Sequence, residues 1–175
     1  FGLIGIFGGM IGSLFVHANR TWQKWRIQQV YSGKAWYRWA HTCLLNLVIT
    51  SMMYLVVVAL SGDCYPRPEP LDDWHTQERE LAEALVSYRC ADDEYNPLAS
   101  LLFVNWDTTM KQILHFREHV WHVGTSTVYL GLGPLLGFGI VWFLSCILMF
   151  GMQPPHGLFV PMLLTGGAFG RAIGH

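Results

Sequence analysis

Two groups of residues in this 175-residue chain have the types and spacing to do chemistry. In HFREHVWH, His115, His119 and His122 stand four and three residues apart, which puts three imidazoles on one helix face and could hold a zinc ion. The order lacks the HExxH glutamate that would serve as a general base, and an interfacial helix with its imidazoles in water competes with the metal. His17 and His41 stand near the ends of apolar runs, where snorkelling or capping competes with haem ligation.

The second group is MQPPHGLFVP, residues 152 to 161. Pro154 and Pro155 donate no amide hydrogens and disfavour a continuing helix, so the apolar run before them should end by about Gly151. Gly157 allows close backbone approach, Leu158 to Val160 begin a new helix, and Pro161 falls in its first turn, where a missing N–H costs little. The first-turn N–H groups of residues 157 to 160 then leave the helix start with about half a positive charge. No Asp or Glu follows residue 118 to meet them. A small anion held by the neutral amides of Gly157, Leu158 and Phe159 would satisfy these donors and still leave again. The alternative is an ordinary break between packed spans, its donors capped by water, His156 or another helix.

The surrounding composition sets the solvent. Hydrophobic residues make up 52% of the chain, charged residues 13%, and there are 18 glycines, a balance that points to lipid rather than to a soluble globule. Four apolar stretches stand out, at 1–18, 40–60, 128–150 and 157–175. The second and third are long enough to cross a hydrocarbon core of about 30 Å. Phe1 opens glycine-rich apolar sequence with no basic leader or cleavage site, so a signal peptide is not expected and the chain reads as a segment of a longer protein.

The net charge of −1 conceals a separation of signs. Arg20, Lys24, Arg26, Lys34 and Arg38 fall between the first two stretches without one anion, which assigns residues 20–38 to the cytoplasmic side. All 12 acidic residues lie between Asp63 and Glu118, so 63–118 becomes an acidic lumenal or extracellular loop. Within it, PLDDWHTQERELAEALVSYR spaces Trp74, Leu81 and Leu85 for a short amphipathic helix. Cys64 and Cys90 bracket its most charged part and could pair there, worth about 3 to 4 kcal/mol by loop entropy; two unpaired surface thiols are the alternative. Cys43 and Cys146 sit inside apolar runs as small packing residues. The sequon at Asn19 should stay unglycosylated on the cytoplasmic side. Gly2, Gly5, Gly9 and Gly12 share one face of the first helix, a stripe that lets another helix approach closely in lipid, with pore lining as the less economical reading.

These residues resemble a known family, the CLC chloride channels and chloride/proton exchangers. GLFVP at 157–161 looks like the family's GxFxP motif, and MLLTGGAFGRAIG resembles its continuation. EYNPLASLLF at 94–103 is similar to the YNxxASL stretch of the plant and endolysosomal branch, and GLIGIFGGMIGSLFVHAN resembles the helix that opens the second inverted repeat. The resemblance implies an all-α polytopic membrane protein, with this chain the first part of the second repeat, from helix J to helix N. It further implies that the amides of Leu158 and Phe159 bind the permeating anion, that the full protein is a homodimer in membrane lipid, and that no cofactor or nucleic acid is needed. His156 departs from the small or hydroxyl residue of many members, with either pH-dependent transport or simple capping as its consequence. The resemblance favours a vacuolar, endosomal or lysosomal membrane over the plasma membrane. Channel and exchanger both stay open, because the glutamate and serine motifs that separate them fall outside residues 1–175 in the family's order. Rival readings are a membrane-embedded metal or haem enzyme using the histidines, and a structural membrane subunit without transport.

Overall fold

The computed structural model describes residues 2–60, 62–67, 76–115, 130–152 and 157–174. It is mostly helical. Helix α1 (Gly2–Arg26) runs into a π-helical turn, Ile27–Tyr31, and a short link leads to α2 (Ala35–Leu60). After α2 come the two-residue strand β1 (Tyr65–Pro66), α3 (Thr76–Glu83), β2 (Glu94–Tyr95), α4 (Pro97–Leu102) and α5 (Trp106–His115). The last two elements are α6 (Leu132–Met149) and α7 (Phe159–Gly174). Both α2 and α6 are long and apolar enough to cross a membrane, matching the spans expected at 40–60 and 128–150.

Two boundaries differ from the reading of hydropathy. The first helix does not stop near Ala18 but continues through the basic residues to Arg26. Residues 20–38 are therefore largely helical, with only Ser32, Gly33 and Lys34 as a link. The reason is that Asn19, Trp22, Gln23 and Arg26 follow the apolar run at helical spacing and find partners inside the protein, as described below. Among the five cations, Arg20, Lys24 and Lys34 are exposed while Arg26 is buried. Arg38 is half-buried and donates to the carbonyl of Tyr31 at 3.1 Å, closing the end of the π-helical turn.

The acidic segment is likewise not a solvated loop throughout. Strands β1 and β2 pair antiparallel, Tyr65 opposite the fully buried Tyr95, and Cys64 and Cys90 are joined in a disulfide beside them. Arg67, next to β1, holds the segment that follows α3 by donating to the Leu85 carbonyl at 2.7 Å and the Ser87 hydroxyl at 3.0 Å. The second half of the acidic segment enters the core. Asn96 caps α4 by accepting from the Ala99 amide at 3.0 Å, with Pro97 in the first turn, a pairing that starts a helix without orphaned donors. Every residue from Pro97 to Leu101 is buried.

Leu98, Ala99 and Leu101 of α4 meet Val57 of α2, Ile113 of α5, Leu135 and Phe138 of α6, and Leu164 and Ala168 of α7. Glycines set the closest approaches. A methyl at Gly139 would meet the Phe169 ring at 3.1 Å, and one at Gly167 would meet Ile113 Cγ2 at 3.2 Å, so α6 against α7 and α7 against α5 pack at distances that larger residues forbid. The stripe Gly2, Gly5, Gly9 and Gly12 meets no atom within 4 Å among the described residues. These glycines are exposed, and so are Ile6, Met10 and Leu14 elsewhere around the same helix.

Candidate functional site

The break between α6 and α7 has two sides that are built differently. On the α6 side, the carbonyls that a helix end leaves without intrahelical donors are all met. Cys146 O accepts from the Phe150 amide at 3.0 Å and Met149 O from the Met152 amide at 3.1 Å. The remaining carbonyls are served from α1, more than a hundred residues away in sequence. Asn19 Nδ2 donates to Ile147 O at 3.2 Å and Trp22 Nε1 to Leu148 O at 3.2 Å. Arg26 Nη2 donates to Leu148 O at 2.9 Å and to Phe150 O at 3.3 Å, and Gln23 Nε2 to Phe150 O at 3.3 Å. Tyr31 completes the set by donating to Gly151 O at 3.4 Å.

This closure needs a turn that only glycine takes comfortably. Gly151 has φ +79°, in the left-handed region where a Cβ is strained. A methyl there would also run into the Gln23 amide.

On the α7 side the opposite holds. The helix begins at Phe159, and its first backbone bond runs from the Met162 amide to Leu158 O at 3.1 Å. Pro161 occupies the third helical position, so its absent N–H costs nothing. The amides of Gly157, Leu158, Phe159 and Val160 have no acceptor among the described residues. Gly157 and Phe159 are exposed, Phe159 to 78%. Gly157, Leu158 and Pro161 line a small cavity of about 40 Å³ together with Trp142, Cys146 and Phe150. Trp142, one of the lining residues, has its indole Nε1 buried without a partner among the described residues. The described wall of this cavity is otherwise largely apolar and holds no carboxylate, so the polar groups it offers are the backbone amides at the start of α7.

A model of the family described as voltage gated chloride channel matches residues 1–175. The chain belongs to that family. It is 28% identical to chloride channel protein C of Dictyostelium discoideum over 99% of this chain and 21% of that protein. With chloride channel protein CLC-a of Arabidopsis thaliana the identity is 26% over 98% of this chain and 21% of the relative. With the H(+)/Cl(-) exchange transporter 7 of Mus musculus it is 26% over 98% and 19%. This chain thus spans about a fifth of the length of the CLC relatives it matches.

Within this CLC segment, Gly157, Leu158, Phe159 and Pro161 stand together at the start of α7, while His156 lies outside the described residues. His119 and His122 also lie outside them, as does Trp74. Among the described residues, the one group with metal-ligand spacing is Cys64, Cys90 and Glu94, and its two thiols are consumed in the disulfide. Asn19 is buried in a helix with its amide engaged, so the sequon offers no free acceptor for a glycan.

Sequence reasoning missed the partners of the α6 end. It counted Arg26 only as one of five cations marking the cytoplasmic side, whereas just 1% of this residue is exposed. The signal was present in the spacing of Asn19, Gln23 and Arg26 by four and three residues, a polar stripe on one face directly after an apolar run.

Proposed function

We propose that this chain supplies part of the anion pathway of a CLC channel or chloride/proton exchanger, with chloride held by the amides at the start of α7. One observation carries this reading: the two sides of a single helix break differ, every carbonyl from Cys146 to Gly151 being met and no acceptor reaching the amides from Gly157 to Val160 among the described residues. Unmet donors in lipid cost several kcal/mol apiece, and a mobile anion relieves that cost without a fixed charge to trap it. Family membership and the GLFVP stretch support the same assignment.

In this reading residues 20–38 face the cytoplasm, the disulfide-stapled acidic segment faces the lumen or exterior, and the full protein is a homodimer. An intracellular organelle membrane is the preferred setting, on the similarity of residues 94–103 to the plant and endolysosomal branch.

The decisive experiment removes one amide hydrogen and leaves the helix. Proline is tolerated at the first helical position, so Phe159→Pro deletes the Phe159 N–H, whereas Phe159→Ala retains it. In proteoliposome flux, Phe159→Pro should raise the half-saturating chloride concentration about tenfold over Phe159→Ala, since a hydrogen bond to an ion is worth about 1.5 to 3 kcal/mol. The exposed Asp92→Asn should match the parent protein. Equal chloride dependence of the two Phe159 variants would overturn the site.

A further inference from the structure

Arg26 is an expensive way to cap a helix. Its side chain is buried, and Nη2 alone serves Leu148 O and Phe150 O. Nε and Nη1 are buried with no hydrogen-bond partner among the described residues. No carboxylate pairs with it among the described residues, where the salt bridge found joins Lys111 and Asp107. What faces the guanidinium is the Trp22 ring, 5.8 Å away, and the carbonyl end of α6, worth about half a negative charge. A full positive charge against half a negative one leaves the α6 end net positive. Neutral Asn19 and Gln23 do the same capping nearby without the cost of burying an ion, which amounts to several kcal/mol. Phe150, whose carbonyl Arg26 holds, also lines the cavity shared with Gly157 and Leu158.

We propose that Arg26 is a positioning residue for the anion site, whose uncompensated charge, fixed to the closed end of α6, strengthens anion binding at the open start of α7. The inference rests on the anion-site reading above. It assigns Arg26 a role through the Phe150 backbone and the local field, without contact with the ion.

The test separates charge from capping. Lysine at position 26 keeps the charge and a donor; glutamine keeps donors and loses the charge. In reconstituted protein, Arg26→Gln should raise the half-saturating chloride concentration on the order of tenfold with maximal flux retained, a change equivalent to about 1.4 kcal/mol. Arg26→Lys should recover most of it, and the exposed Lys24→Gln should change nothing. A capping role alone predicts that glutamine performs as well as lysine, and that result would overturn the proposal.

Gln23→Glu covers the case in which Arg26 variants fail to fold. Gln23 shares the Phe150 carbonyl with Arg26, so a carboxylate there neutralises the guanidinium while leaving it in place. A glutamate donates to neither Phe150 O nor Asn19 Oδ1, so Gln23→Met, which loses the same donors without adding a charge, is its control. Chloride affinity should fall further in Gln23→Glu than in Gln23→Met, and equal affinities would again reject the idea. Phe159→Pro is measured alongside. If it shifts chloride dependence while glutamine equals lysine at position 26, this proposal fails alone; if Phe159→Pro has no effect, the site itself and this inference fall together.

Discussion

Where α6 stops and where α7 starts are separated by only a few residues, yet the protein treats them in opposite ways. At the first, two backbone amides and five side chains converge on six successive carbonyls; at the second, a proline removes one donor and no described group meets the rest. Helix ends buried for stability are capped, because an orphaned polar group costs about 1 to 3 kcal/mol. On the proposed reading, the end with no described partner is the one that receives an ion that comes and goes. The difference also orders the roles: a rigid closed end gives the open end a fixed place from which to present its amides.

The contrast can be broken most forcefully at Gly151. Gly151→Ala combines a left-handed backbone with a collision at Gln23, and should cost about 2 to 3 kcal/mol, read as a lower melting temperature of the detergent-solubilised protein. Trp22→Phe keeps the ring and removes the donor to Leu148 O. Because Arg26 still reaches that carbonyl, the loss should be about 1 kcal/mol by the same measurement.

At the open end the expectation reverses. Phe159→Ala trims a side chain that is 78% exposed and should move stability by less than about 0.5 kcal/mol, even where flux responds. A stability loss as large as that of Gly151→Ala would erase the distinction between the two ends. The smallest effect belongs to Lys111, whose exposed ammonium lies 2.7 Å from Asp107 one turn earlier. The hydrogen bond to Asp107, and then its charge, raise the Lys111 pKa, so any stabilisation is present below the ordinary lysine value and is lost as pH rises through the raised one. Lys111→Met should leave the neutral melting curve unaltered, since exposed pairs are screened by water, and raising the pH should only narrow any residual gap.

Local patterns in the chain disclosed α2, α6 and the restart at α7. Apolar length marks the first two, and prolines on both sides of Gly157 mark the third. The short helix expected around Trp74, Leu81 and Leu85 is present as α3, which contains Leu81; Leu85 is buried just past its end, and Trp74 lies outside the described residues. What stayed hidden depends on distant partners. Nothing near Arg26 in sequence says that its guanidinium will meet Leu148 and Phe150, more than 120 residues on. The two-residue strands were too short to leave an alternating pattern, and α4 was submerged in the count of acidic charge around it. Its Asn96–Pro97 start was nevertheless a readable cap. For the candidate site, the helix restart at α7 was legible from the proline pattern, whereas the closed collar beside it was not.

The contact between Gly139 and Phe169 has a mechanical meaning for the open end. Phe169 lies ten residues after Phe159, about 15 Å along the axis of α7 at the usual helical rise. The ring rests against bare backbone, so it works as a pivot with the amide-bearing tip at the far end of the lever. A shift of a few tenths of an ångström at that pivot, the size a single added methyl demands, tilts the helix and displaces the tip sideways. If the proposed anion site is correct, bulk added at position 139 would thereby shift chloride affinity from a point remote from the α7 start.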